Sequence, residues 1–140
     1  MTAIAIEDYD LFAGLSWRER RHVRRLFLPA TFRPGRRLME EGARGRECLV
    51  IVSGTVVVER HGEVVEELGP GSVVGEVALL MDGDARIRTA TVTAVSEVEA
   101  LMFSPLNFAA LMNTNSTVAA RIHRGALRRI ADDTVDEYAD

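Results

Sequence analysis

The sequence predicts an α+β fold: short antiparallel strands forming a barrel, sandwich or roll, flanked by helices at both ends. Three features of its 140 residues point there. Helical periodicity marks both ends, over 1–28 and 104–140. Between them, 29–103 breaks into short apolar segments separated by Gly, Pro and Ser. Those segments lie too close together for βαβ crossovers, so the strands must pair antiparallel.

Over 1–28, Ser16 and Glu19 have the spacing of a capping box, and Trp17, Val23, Leu26 and Phe27 supply an apolar stripe. Arg18, Arg20, Arg21, Arg24 and Arg25 crowd the other positions. They read as a solvated face partly offset by Glu19, in preference to a basic docking face for a partner or nucleic acid. From about Leu28 the period becomes that of strands. Pro34-Gly35 makes a turn before a short strand over 36–40, and Gly42 and Gly45 punctuate the next loop. Residues 48–52 form a buried-looking run ending at Ser53-Gly54. Segments 55–59 and 64–68 flank Arg60-His61-Gly62-Glu63, a hairpin signal because Gly62 tolerates positive φ. Gly69-Pro70-Gly71 breaks the chain, and 89–94 and 98–103 complete the strands. Ser104 then caps a helix with Pro105 in its first turn, and Asn115 or Ser116 caps a last helix bearing Val118, Ile122, Ala126, Leu127 and Ile130. The whole reads as one domain, 1–140.

Composition narrows the function classes. A net charge of −4 argues against direct nucleic-acid binding driven by phosphate neutralisation. No apolar run reaches the roughly 18 residues of a membrane span, and the start of the chain lacks a signal-peptide pattern. The lone Cys48 has no disulfide partner within the chain, which favours a cytoplasmic protein. Histidines 22, 61 and 123 lack metal-ligand spacing, so no metal site is expected. No nucleophile–base set or carboxylate pair suggests catalysis, and the chain is read as not an enzyme. Lysine is absent, so any anion site must use the planar guanidinium. On the last helix Arg121, Arg124, Arg128 and Arg129 read as an exposed face. The acidic run after it, Asp132, Asp133, Asp136 and Glu137, is misplaced for a helix C-terminus, which favours cations.

One stretch, 71–92, carries chemistry. Gly75 lacks a Cβ, so backbone there can approach a ligand closely. A short helix after it would aim unpaired N–H groups at an anion. Arg88 can offer a charge-assisted, bidentate contact to phosphate oxygens, and the Thr89 hydroxyl another. Glu76, acceptor-only when ionised, suits a sugar hydroxyl rather than a phosphate. Together these groups describe a ribose fused to a phosphate.

Gly75-Glu76-Val77-Ala78-Leu79-Leu80, followed by Arg88-Thr89-Ala90-Thr91-Val92, resembles the phosphate-binding cassette of cyclic nucleotide-binding domains. Such domains occur in catabolite activator proteins, cyclic-nucleotide-dependent kinases and nucleotide-gated channels. The resemblance covers nearly the whole chain, including Phe32-Arg33-Pro34-Gly35, Gly42 and Gly54. It implies that Glu76 holds the ribose hydroxyl, that Arg88 and Thr89, with Ala90 beside them, take the cyclic phosphate, and that Val74, Gly75, Val77, Ala78 and Leu79 line the pocket. It also implies an antiparallel β-roll, jelly-roll-like and barrel-shaped, with N-terminal helices and a C-terminal helical hairpin or lid whose last helix covers the base. The apolar stripe of Val118, Ile122 and their neighbours suggests that this helix is also a homodimer seam.

Eleven residues separate Glu76 from Arg88, a longer loop than the family's usual one. Counting alone makes Arg86 the phosphate ligand, whereas the Thr89-Ala90-Thr91 that follows selects Arg88. The expected function is a sensor or regulatory protein for 3′,5′-cyclic AMP, with cyclic GMP the other candidate, acting on a protein effector. Its rivals are a degenerate, non-binding roll used as an interaction module, and a truncated transcription regulator of the catabolite activator type.

Overall fold

A computed structural model of the chain describes residues 6, 9–45, 47–75 and 87–122. Among the described residues, eight strands form two four-stranded antiparallel sheets. They are β1 (Phe27–Phe32), β2 (Arg37–Met39), β3 (Cys48–Ser53), β4 (Val56–Arg60), β5 (Glu63–Leu68), β6 (Val73–Val74), β7 (Thr91–Ala94) and β8 (Val98–Phe103). The first sheet has the order β1-β8-β3-β6 and the second β2-β7-β4-β5. A 3₁₀ turn at Asp10–Phe12 and helix α1 (Trp17–Arg24) precede the strands. Helix α2 (Pro105–Thr114) follows them, and 116–122 is again helical. This is the α+β roll that the sequence predicts.

Side-chain alternation explains why β3 and β8 are almost wholly apolar. Successive residues of a strand face opposite sides of the sheet. On β3, Cys48, Val50 and Val52 face a core shared with the helices, while Leu49 and Ile51 face the second sheet. On β8, Leu101 and Phe103 take the helical side, and Val98 and Ala100 the inter-sheet side. Both strands are thus covered on two faces. The second sheet has one buried face, and its edge strand β5 is exposed over Glu63–Glu67. The β4–β5 hairpin turns on His61 and Gly62, both at positive φ (54° and 81°), as a two-residue turn matching the strand twist requires.

The N-terminal helical region is shorter than expected. The capping box at Ser16 and Glu19 is present, with Glu19 N donating to Ser16 Oγ at 3.2 Å and Ser16 N to Glu19 Oε1 at 3.0 Å. Hydrogen bonds to its carboxylate, first from the Ser16 backbone N–H, then from the Ser16 side chain and the Asn115 amide, hold Glu19 below its ordinary pKa. Helix α1 nevertheless stops at Arg24, because Phe27 and Leu28 are drawn into β1 opposite Phe103 and Met102. The Phe27 and Phe103 rings meet at 5.8 Å, a tertiary contact that overrides the helical period. Val23 and Leu26 of the expected stripe are buried, but Trp17 is 60% exposed. The strand expected over 89–94 begins only at Thr91, and the two-residue β6 is too short to register as a sequence pattern.

Ser104 Oγ accepts from Asn107 N at 3.1 Å, capping α2 as expected. Asn115, rather than Ser116, caps the following helix through Val118 N to Asn115 Oδ1 at 3.1 Å. Its amide also donates to Glu19 Oε2 at 2.9 Å, linking the C-terminal helices to α1. Asn115 is 5% exposed, so Asn115→Ala strands a buried N–H and removes a cap. The expected loss is about 1–3 kcal/mol, read from the urea unfolding midpoint. Val118 and Ile122 are 0% and 3% exposed inside the chain's own core. Arg121, expected on a solvated face, donates to the carbonyls of Asp10, Leu11 and Ala13 at 2.9–3.0 Å. Arg124, Ala126, Leu127, Arg128, Arg129, Ile130 and the acidic run lie outside the described residues.

Candidate functional site

The two halves of the 71–92 stretch reach the same place from opposite directions. Strand β6 pairs with β3, setting Val74 opposite Leu49 and leaving Gly75 beside the approach to β3. Val74 is 1% exposed. Gly75 has φ +90°, a conformation that side-chain-bearing residues rarely adopt. A Cβ placed there would lie 2.5 Å from Arg88 Nη1, 2.6 Å from Met39 Cε and 2.7 Å from the Glu47 carbonyl. Gly75 is therefore required both by conformation and by space.

The second half is held by the loop after β2. Arg88 N donates to the Ala43 carbonyl at 2.7 Å, and Gly42 N to the Arg88 carbonyl at 3.0 Å. Ile87 bridges to Arg44, and Glu41 N donates to Thr91 Oγ1 at 3.0 Å. These bonds direct the Arg88 side chain inward, where it is 7% exposed. Its Nη2 donates to the Glu47 carbonyl at 2.6 Å and its Nη1 to the Gly75 carbonyl at 3.3 Å. A buried guanidinium is tolerable only when hydrogen-bonded, and two backbone carbonyls from separate loops supply part of that. Thr89 is exposed and Ala90 half-buried, and the Thr89 carbonyl accepts from Arg60 Nε at 3.3 Å.

Of the residues selected from sequence, Val74, Gly75 and Arg88 thus meet, and Thr89 and Ala90 follow at the rim. Glu76, Val77, Ala78, Leu79 and Arg86 lie outside the described residues. Sequence reasoning missed Met39 and the Glu47 carbonyl, which complete the surroundings of Gly75. A backbone carbonyl leaves no trace in residue identity. The chemistry available is that of a buried, oriented cation packed closely against a glycine, suited to an anionic group carried on a compact ligand. Among the described residues no three His, Cys, Asp or Glu gather as metal ligands, and no described helix is long and apolar enough to cross a membrane.

Comparison with known proteins places this geometry in context. The family model for the cyclic nucleotide-binding domain matches residues 29–115. A cyclic nucleotide-gated potassium channel of Rhizobium etli is 34% identical over 105 residues, covering 75% of this chain and 28% of the channel. A cAMP-dependent protein kinase regulatory subunit of Dictyostelium discoideum is 37% identical over 75 residues, covering 48% of this chain and 22% of that protein. The crystal structure of Thermus thermophilus catabolite activator protein superposes with a TM-score of 0.77 at 26% identity, covering 92% of this chain and 62% of that one. The chain therefore spans about a quarter of the length of these two curated relatives.

Proposed function

Because the chain belongs to the cyclic nucleotide-binding domain family, we propose that it is a cyclic nucleotide sensor whose preferred ligand is 3′,5′-cyclic AMP, with cyclic GMP as the competitor. A domain of this family regulates rather than catalyses, and we assign the chain no reaction of its own. The observation that carries the reading is Arg88, a buried cation whose Nη1 reaches the Gly75 carbonyl at 3.3 Å and so joins the two cassette halves. In this assignment Arg88 and Thr89 take the cyclic phosphate beside Ala90, and Glu76 takes the ribose hydroxyl. Val74, Gly75, Val77, Ala78 and Leu79 line the pocket. Such a ligand acts by preferring one arrangement of cassette and last helix over another.

The domain assignment, 1–140 as one unit, belongs to the same proposal, as do a cytoplasmic location and a protein effector. A homodimer through the C-terminal helix needs its seam beyond residue 122. Val118 and Ile122, the residues that suggested it, are spent on the chain's own core. The likeness to the Thermus catabolite activator favours one second reading, the sensor half of a transcription regulator.

Thermal unfolding tests the ligand assignment. At a hundredfold excess over Kd, cyclic AMP should stabilise the fold by about 2.7 kcal/mol, a rise of several degrees in Tm. Cyclic GMP should give less, and 5′-AMP, which lacks the ring phosphodiester, least. No shift with either cyclic nucleotide at millimolar concentration would instead favour a non-binding roll that serves as an interaction module.

A further inference from the structure

Helix α1 carries a surface that neither the core nor the cyclic nucleotide reading uses. Trp17, Arg18, Arg21, His22 and Arg25 border an open, shallow depression of about 480 Å³. Their spacing puts them on one helical face. All five are exposed, and the Trp17 indole is the largest exposed aromatic among the described residues. The Arg18 guanidinium lies 5.6 Å from the indole centroid, keeping a cation over the ring. Glu19, the one acid of the helix, does not neutralise this face. Its two carboxylate oxygens are directed to Ser16 N and to the Asn115 amide.

In a chain of net charge −4, so concentrated a cationic and aromatic face calls for an acidic occupant. We propose that the occupant is the chain's own C-terminal segment, 132–140, docked in cis on α1. That segment, Asp132-Asp133-Thr134-Val135-Asp136-Glu137-Tyr138-Ala139-Asp140, carries five acids, one aromatic ring and no base.

Charge, proximity and reach support the pairing. Thr114 Oγ1 meets His22 Nε2 at 3.3 Å and Asn115 meets Glu19 at 2.9 Å, so the C-terminal helices start against α1. Ile122 and Val23 of α1 belong to the same core cluster, so the described chain ends in the core that α1 covers. Nine residues, 123–131, then precede the acidic segment. Extended, they reach about 30 Å; even wound as a helix they reach about 14 Å, against the roughly 12 Å length of α1. A tether this short gives the segment an effective local concentration on the order of millimolar. The nearer arginines, Arg128 and Arg129, are weaker partners for Asp132 and Asp133. In any helix a cation four residues before an anion is the less favourable order.

Trp17 is the chain's one tryptophan, so the site carries its own reporter. Acrylamide quenching of its fluorescence should be compared in the full chain and in a full-length variant with Asp132→Asn, Asp133→Asn, Asp136→Asn, Glu137→Gln and Asp140→Asn. At low salt the neutralised variant should be quenched about twofold more strongly, and about 1 M sodium chloride should erase the difference. Arg21→Glu with Arg25→Glu, made from the other side, should raise quenching by the same factor. Combining the two sets should add nothing further. Equal quenching of the parent and both variants at low salt overturns the proposal. Shielding that grows with protein concentration overturns the cis assignment, because a second copy would then supply the segment.

Discussion

Replacing Arg88 by alanine is expected to weaken cyclic AMP binding between several-fold and a hundredfold, measured by isothermal titration calorimetry. The range corresponds to about 1–3 kcal/mol for a hydrogen bond to a charged group. The structure adds a second consequence. The Arg88 guanidinium donates to the carbonyls of Glu47 and Gly75, which belong to separate loops. Alanine removes both bonds inside a region where Arg88 is 7% exposed, so the ligand-free protein should also unfold at lower urea. Affinity and stability therefore have to be read separately. Arg88→Lys separates them further: one ammonium keeps the charge but cannot span two divergent carbonyls as a planar guanidinium does. It should recover part of the affinity while the unfolding midpoint stays low. Arg86→Ala should change affinity much less than Arg88→Ala. The reverse order would show that the cassette register is wrong and that Arg86 meets the phosphate.

The roll was legible because its determinants are local. Gly, Pro and Ser punctuate the strands, and the helix caps and hairpin turn are written in nearby residues. Both apolar runs, 48–52 and 98–103, correspond to β3 and β8, the strands buried on two faces. What was not legible depends on contacts distant in sequence. Phe27 is a good helical residue by period and a strand residue by its contact with Phe103. Trp17 was placed in an apolar stripe, yet it lies about 120° around the helix from Val23, the residue that α1 buries. Asn115 and Ser116 were equivalent caps until Glu19, far back in the chain, took the Asn115 amide. Arg121 looked like a solvated residue because its partners are backbone carbonyls of the 3₁₀ turn.

The candidate site divides in the same way. Gly75 and Arg88 could be selected from residue type and order, since only glycine lets backbone approach so closely and only arginine offers a planar fork. Parity along a strand could not choose between Arg86 and Arg88. The loop after β2 settles how Arg88 is held, through backbone bonds to Ala43 and Gly42, and backbone bonds are invisible in a sequence. Eleven residues between Glu76 and Arg88 do not prevent that meeting, in keeping with the slow growth of loop-closure cost with length.

Gly75→Ala is expected to be the most damaging single-methyl change in the site. At φ +90° the substitution strains the backbone even before any contact is made. The new methyl would also lie 2.5 Å from Arg88 Nη1 and 2.7 Å from the Glu47 carbonyl. The carbonyl belongs to backbone and yields little, whereas Met39 Cε, at 2.6 Å, ends a flexible side chain that can swing away. Relief must therefore come from Arg88. Moving the guanidinium breaks its bond to the Gly75 carbonyl and misplaces the cation that the proposed ligand requires. The unfolding free energy should fall by about 1–3 kcal/mol, and cyclic AMP affinity should fall at least as far as in Arg88→Ala. Gly71→Ala supplies the control. It also has positive φ, at +89°, but a Cβ there meets nothing within 4 Å. Backbone strain alone should lower stability in that variant and leave affinity nearly unchanged. If both glycine variants lost stability yet bound cyclic AMP as the parent does, close packing of Gly75 against Arg88 would have no part in recognition, and the phosphate would have to be sought elsewhere on the roll.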